Sequence, residues 1–298
     1  MIKTQVLVIG SGPGGYTAAF RAADLGKEVV LVENHDNLGG VCLNVGCIPS
    51  KSLLHTAQVI NEAKSANQLG INFASPKIDI KSVRKNKETT VSKLTAGITA
   101  LAKARKVNLL TGYAKFLSNN QVKLEGTDDI IEFEHCVIAA GSRVTKLPMF
   151  PFEDERVMDS TDALLLDDIP KRLLIVGGGI IGLEMATIYD ALGSEITIAE
   201  LGEQLIPTAD KDIINPLFKH IKKIYSNIFL NTKVIKMTSI KKGIKVSFEG
   251  KDAPKTDTFD KVLVSIGRSP NGHLLAVSYT HLRAHETDSY LVCRLLLE

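Results

Sequence analysis

Residues 5–33 read QVLVIGSGPGGYTAAFRAADLGKEVVLVE, and residues 172–200 read RLLIVGGGIIGLEMATIYDALGSEITIAE. Each stretch opens on a short apolar run, passes through a glycine-rich turn, continues in a helical pattern and closes on a second apolar run that ends in an acid. Four consecutive apolar residues, Val6 to Ile9, suit a parallel strand covered on both faces. Gly26 and Gly193 fall where each helix should stop and can take the left-handed cap. Both turns carry G-x-G-x-x-G, as Gly10, Gly12, Gly15 and as Gly177, Gly179, Gly182, and from first glycine to acid the offset is 23 residues in both. One such motif is a weak signal. Two, each after a strand, before a helix and with an acid at one offset, predict an α/β chain with two Rossmann-like dinucleotide-binding domains.

Each part of the motif has a task. The first glycine permits the tight turn, the second lets backbone approach a pyrophosphate, and the third lets helix pack close to strand. The helix N-terminus presents unpaired N–H groups and a positive dipole end to the phosphates. Glu33 and Glu200 are then expected to accept hydrogen bonds from a ribose hydroxyl. After Glu200 the chain reads LGEQLIP, with no arginine, and a carboxylate there repels a 2′-phosphate, so the second site is expected to take NAD rather than NADP.

The 298 residues, 44% hydrophobic and including 23 glycines, suffice for two domains that each bury a core. Lys+Arg 36 against Asp+Glu 33 gives a net charge of +3, which is no footprint for nucleic acid or anionic lipid. There is no apolar run long enough to span a membrane, and the N-terminal apolar run is too short for a secretory signal. The chain is expected to begin folding at Lys3 and to stay in the cytoplasm. Two dinucleotide sites in one chain suggest an electron relay in which one cofactor stays bound and the other comes and goes.

Between the two motifs lies GGVCLNVGCIPSK, residues 39–51, with Cys42 and Cys47 five positions apart. A metal site normally needs four ligands, and His35 and His55 form no second ligand pair with these cysteines, so no metal is expected. A structural disulfide closing so small a loop would add little stability. A redox pair remains. Pro49 suits the first turn of a helix over SKSLLHTAQVINEA, which would put Cys47 close to a helix N-terminus where a thiolate is favoured, and Lys51 adds positive charge one turn on.

The segments GSGPGGYTAA, GGVCLNVGCIPSK, VGGGIIGLEM and SIGRSPNG together resemble the disulfide-dependent flavoprotein reductases, over about Lys3 to Ala276. Within that family the IPSK ending and EQLIPTADKD look most like the members that oxidise dihydrolipoamide; mercuric reductases share a very similar cysteine turn and glutathione reductases a related one. The resemblance implies FAD at the first motif, held by Gly10, Gly12, Gly14, Gly15 and Glu33, with further contacts from Lys51, Ala114 and Gly141. It implies NAD at the second, held by Gly177, Gly179, Ile180, Ile181, Gly182 and Glu200, with Val234 and Gly267 beside it. By the same resemblance Cys47 is the charge-transfer thiolate facing flavin, Cys42 is the interchange thiol that meets substrate, and the two form a redox disulfide. Lys51 is expected to pair with Glu184, taken to lie in the first turn of the second motif's helix. The implied reaction is oxidation of dihydrolipoamide, on a carrier lipoyl domain of a 2-oxo acid dehydrogenase complex, with NAD as hydride acceptor.

The expected organisation is a FAD-binding domain with the redox cysteines over 1–145, a NAD-binding domain over 146–276, and a tail over 277–298. Family members continue with a T-x-x-P-x-I-[FY]-A-x-G-D segment and an interface domain ending in H-P-T-x-S-E, neither of which is present. The tail VSYTHLRAHETDSYLVCRLLLE reads instead as translated non-native sequence, and its His281, His285 and Cys293 are given no role. The missing domain carries the family's homodimer interface and the acid/base pair, which typically contributes about 10²–10⁴-fold. The chain alone is therefore expected to be weakly active, or to act as a nucleotide-binding module without turnover.

Overall fold

The computed structural model of the chain describes residues 1–275, apart from the side chain of His273. The 277–298 tail, with His281, His285 and Cys293, lies outside the described residues, as does Ala276.

In chain order, β1 (Ile2–Ile9), α1 (Pro13–Asp24) and β2 (Val29–Glu33) form the first βαβ unit, and α2 (Gly40–Val45) and α3 (Cys47–Ser65) carry the cysteines. The long α4 (Ile80–Ala104) leads to β3 (Asn108–Thr111), β4 (Tyr113–Ser118), β5 (Gln121–Glu125) and β6 (Ile130–Ile138). After β7 (Ser142–Val144), β8 (Val157–Met158) and α5 (Ser160–Leu165) comes the second βαβ unit, β9 (Arg172–Val176), α6 (Ile180–Ala191) and β10 (Glu195–Ala199). The rest comprises α7 (Lys211–Ile221), β11 (Asn227–Phe229), β12 (Lys233–Ile240), β13 (Gly243–Glu249), β14 (Thr256–Phe259), β15 (Lys261–Val264) and β16 (Arg268–Pro270).

These elements gather into two compact units with interleaved sequence. One comprises residues 1–40, 97–141 and 270–275; the other comprises 41–96 and 142–269. The cysteine segment thus groups with the second glycine motif, whereas the sequence-based division put it in residues 1–145.

In the first unit one six-stranded sheet runs β3-β2-β1-β6-β5-β4, parallel across β3, β2, β1 and β6 and antiparallel beyond. The unbroken apolar run in β1 is explained by cover on both faces. Leu7 and Ile9 join a core with Val30, Val32, Val122 and Phe133, while Val6 and Val8 join another with Ala19, Leu31 and Ala102. Each buried Val, Leu, Ile or Phe side chain contributes about 1.5–3 kcal/mol by leaving water.

In the second unit the sheet β11-β10-β9-β15-β8 is parallel throughout, and β12-β13-β14 forms an antiparallel meander. Strand β9 again splits its residues between cores: Leu173 and Ile175 face α6 through Leu183 and Ala186, and Leu174 and Val176 face the meander through Val246 and Phe259. Leu53 of α3 belongs to the α6 core. Helix α4 is tied to the end of α5 by Arg84, which donates to the Leu166 and Asp167 carbonyls, and by the nearly buried Lys87, whose Nζ donates to the Leu164 carbonyl at 2.7 Å. Burial lowers the Lys87 pKa.

Both βαβ helices stop at the expected glycine. Gly26 and Gly193 have φ of +79° and +110°, and Lys27 N and Ser194 N reach back to the Ala22 and Tyr189 carbonyls. Among the described residues no helix is long and apolar enough to cross a membrane.

Candidate redox and nucleotide sites

At the carboxyl end of β1 the chain turns through Gly10, whose φ is +96° and whose added Cβ would lie 2.3 Å from the Ala139 carbonyl oxygen. A Cβ on Gly15 would lie 1.7 Å from the Gly10 carbonyl oxygen, so this glycine is required by the close passage of α1 over the turn. Gly12 and Gly14 differ: a Cβ on Gly12 would meet only the Gly40 Cα at 4.0 Å, and one on Gly14 nothing within 4 Å. Helix α1 begins after Gly12 with no side-chain cap and no acid in its first turn. Open glycines at a helix N-terminus free of competing acids fit the diphosphate of a dinucleotide such as FAD.

Glu33 ends β2 beside this turn, almost wholly buried, and serves the turn directly. Its Oε2 accepts from Ser11 N at 3.0 Å and Ser11 Oγ at 2.5 Å, and its Oε1 from Asn34 N at 2.8 Å and His35 N at 3.0 Å. The expected ribose acceptor is already engaged by four protein donors. Gly112 N donates to the Glu33 carbonyl and Ala139 N to that of Ile9, so the strand ends of β1, β2 and β6 meet at one edge of the sheet. The Ala114 side chain faces the core, while Gly141 has φ +67° and open space where a Cβ would point.

The second turn repeats the first in its strained positions. Gly177 has φ +103° with an added Cβ 2.4 Å from the Ser265 carbonyl oxygen, and a Cβ on Gly182 would lie 2.2 Å from the Gly177 carbonyl oxygen. Gly179 has nothing within 4 Å, and α6 starts after it without a side-chain cap or a first-turn acid. Ile180 is exposed beside it and Ile181 partly so. Glu200 accepts from Gly178 N at 2.6 Å through Oε2 and from Gly202 N at 2.7 Å through Oε1. Gly267 has φ +120° and open space at its Cβ position. The Val234 side chain packs with Ile244, Val246 and Phe248, because β12 turns this residue inward.

The cysteines lie on consecutive helices. Gly46 separates them, and a Cβ there would sit 2.9 Å from the Val41 carbonyl oxygen and 3.4 Å from the Cys42 Cα, so the bare glycine lets the chain double back and bring Cys47 onto Cys42. Helix α3 starts earlier than the proline suggested: Cys47 is its first residue and Pro49 its third, still within the turn whose N–H groups have no helical partner. Both cysteines are free thiols, Cys47 exposed and Cys42 half-buried. Burial, and then the hydrogen bond with the Cys47 side chain and its charge, push the Cys42 thiol up to about 11, against the opposing pull of the Cys47 backbone hydrogen bond and then of the Lys51 charge.

The expected Lys51–Glu184 pair is not formed, although α3 and α6 share a core through Leu53 and Leu183. Lys51 is exposed, and neither side chain enters an ion pair among the described residues. Glu184 is the fifth residue of α6, beyond its first turn. An exposed ammonium gains at most about 1 kcal/mol from such a pair and loses side-chain freedom to make it.

Sequence reasoning passed over three features of these sites. Ser11 is wholly buried and joins Glu33 to the Gly39 amide. Gly39 and Gly40 both have positive φ, and a Cβ on Gly40 would lie 2.7 Å from the Gly12 Cα. The contrast between G-S-G and G-G-G in the two turns was the available signal for Ser11. No pattern in α4 distinguished Lys87 from a solvated lysine.

The chain is similar to known proteins over most of its length. The family model described as pyridine nucleotide-disulphide oxidoreductase matches residues 4–293. Dihydrolipoyl dehydrogenase of Vibrio cholerae serotype O1 is 52% identical over 288 residues, 96% of this chain and 60% of that protein. Dihydrolipoyl dehydrogenase of Haemophilus influenzae is 53% identical over 277 residues, 92% of this chain and 58% of that protein. Among solved structures, the HOCl-induced flavoprotein disulfide reductase RclA of Escherichia coli, as its Cu(II) complex, superposes with a TM-score of 0.80 at 27% identity, covering 96% of this chain and 61% of that one. The chain spans about 60% of the length of the curated relatives it matches.

Proposed function

The chain belongs to the pyridine nucleotide-disulphide oxidoreductase family, and from that premise we propose that it carries the nucleotide-binding and redox-cysteine parts of an enzyme that oxidises dihydrolipoamide to lipoamide with NAD. The observation that carries this reading is the cysteine pair: an exposed Cys47 on the first residue of a 19-residue helix, hydrogen-bonded to a half-buried Cys42 whose thiol is held protonated. The similarity to dihydrolipoyl dehydrogenases at about half identity supports the choice of substrate.

In this reading the first glycine turn, with Gly10, Gly12, Gly14, Gly15 and Glu33, holds FAD, aided by Lys51, Ala114 and Gly141. The second, with Gly177, Gly179, Ile180, Ile181, Gly182 and Glu200, holds NAD, aided by Gly267 and the Val234 backbone. Bound FAD supplies a two-electron carrier between a dithiol and NAD. The residues of the chain perform the thiol chemistry. A substrate thiolate attacks Cys42 Sγ of the oxidised pair; the Cys42–Cys47 bond breaks and Cys47 leaves as thiolate at the helix N-terminus. The second substrate thiol, deprotonated, then attacks the substrate sulfur of the mixed disulfide. Lipoamide closes, and Cys42 takes up the proton that its raised pKa favours. In this reading Lys51 adds positive charge toward Cys42, and Glu184 is assigned to the site as a second charged residue. The substrate is carried on a lipoyl domain of a 2-oxo acid dehydrogenase complex in the cytoplasm, and the longer protein is a homodimer.

The reading is tested by a single turnover. The FAD-loaded chain with its cysteines oxidised should regain two alkylatable thiols, at Cys42 and Cys47, when mixed with dihydrolipoamide, and NADH should form in step. Reduction of the pair by NADPH but not NADH, or indifference to dihydrolipoamide with ready reduction of mercuric ion, would assign the chain to another disulfide reductase.

A further inference from the structure

The two glycine turns differ at the residue after the first glycine, which is Ser11 in one and Gly178 in the other. A carboxylate offers about four acceptor positions. Glu33, 6% exposed, has four donors, two on each oxygen, whereas among the described residues Glu200, 8% exposed, has only Gly178 N and Gly202 N, two of its four acceptor positions. A serine at Gly178 would force the Leu205 side chain to shift, since a Cβ there would lie 2.4 Å from Leu205 Cδ2. Three of the four donors to Glu33 are backbone amides, fixed by the turn and by the chain leaving β2. The fourth, the Ser11 hydroxyl, is the one donor carried on a side chain, so side-chain rotation alone can withdraw it; Gly39 N, which also donates to the Ser11 Oγ at 3.2 Å, keeps its bond to the Ser11 carbonyl.

We infer that the Ser11 hydroxyl occupies the position of a ribose hydroxyl on Glu33 and gives it up when an adenosine ribose binds, so that Ser11 sets the affinity of the first nucleotide site. The inference rests on the reading of that site as the one for FAD. Without the hydroxyl, a nearly buried carboxylate lacks a donor until a ribose supplies one. The nucleotide-free chain then loses stability while its affinity for nucleotide rises; a serine that merely supported the fold would move both the same way. Gly39 N keeps its bond to the Ser11 carbonyl at 2.9 Å, so Ser11→Ala leaves no amide without a partner.

The test uses the 298-residue chain stripped of flavin, as wild type, Ser11→Ala and Ser11→Gly, titrated with FAD by flavin fluorescence, with ADP and its 2′-deoxy and 3′-deoxy analogues as competitors. Ser11→Ala should bind FAD about tenfold more tightly, the worth of one hydrogen bond to a charged group. Its thermal midpoint without nucleotide should fall, and the gain should shrink for at least one deoxy competitor. Ser11→Gly, which copies the second turn, decides the matter if the alanine chain does not fold. Equal or weaker FAD binding by the folded variants overturns the inference and leaves the first motif as the flavin site. A wild-type chain that binds no FAD overturns that reading and the inference with it.

Discussion

Cys42, Cys47 and Cys136 share a side chain and differ in surroundings, which should separate their reactivity. Cys47 is exposed at the start of α3, Cys42 is pushed up to about 11, and Cys136 is pushed up to about 12 by burial alone. With iodoacetamide at pH 8, mass spectrometry should find Cys47 modified first, Cys42 gaining rate only as pH approaches 11, and Cys136 modified most slowly. Equal labelling of Cys42 and Cys47 at pH 8 would contradict the thiol assignment. The linkage sign follows from the same shift. The folded-state pKa of Cys42 lies above its ordinary 9.0, so its stabilising contribution is present below pH 9 and is lost as pH rises toward 11. Cys42→Ser should flatten that part of the stability profile. At Glu200, replacement by Gln puts an amide donor opposite the Gly178 or Gly202 N–H; NADH affinity, measured by fluorescence, should fall about tenfold.

Within the strand–turn–helix elements, the glycines of one motif divide by what surrounds them. Gly15 and Gly182 are required by contact, since an added Cβ would enter the carbonyl oxygens of Gly10 and Gly177 at 1.7 and 2.2 Å. Gly179 has extended backbone at φ −76° and nothing near its Cβ position. Gly15→Ala and Gly182→Ala should therefore each cost about 1–3 kcal/mol or more in urea unfolding. Gly179→Ala should fold normally and lose NADH affinity, because its methyl group would occupy space open to the pyrophosphate. A stable Gly182→Ala chain would refute this division. The strand–turn–helix order and the capping glycines were legible because they depend on local conformation and on periodicity within about thirty residues. The true start of α3 at Cys47 was not, since it is decided by Gly46 folding back on Val41 and Cys42 rather than by Pro49.

At the scale of the molecule, two units are threaded by one chain that crosses between them at 40/41, 96/97, 141/142 and 269/270. Hydrogen exchange read by mass spectrometry should show FAD protecting amides mainly in 1–40 and 97–141, and NADH protecting amides in 142–269. Protection of both sets by NADH alone would count against separate sites.

The sequence by itself determined the two βαβ units, the positions of their turns, the acids that close them and the cysteine pair between them. Each is encoded in short-range spacing, where chain geometry leaves few alternatives. Only the tertiary structure decided how those parts are used. Among the described residues, Glu33 is saturated by Ser11, Asn34 and His35 while Glu200 has two donors, Val234 turns into a core, and Lys51 and Glu184 form no ion pair. Residues 41–96 group with the second motif rather than the first. These outcomes depend on which distant groups come within hydrogen-bonding or packing distance, and spacing along the chain does not carry that information.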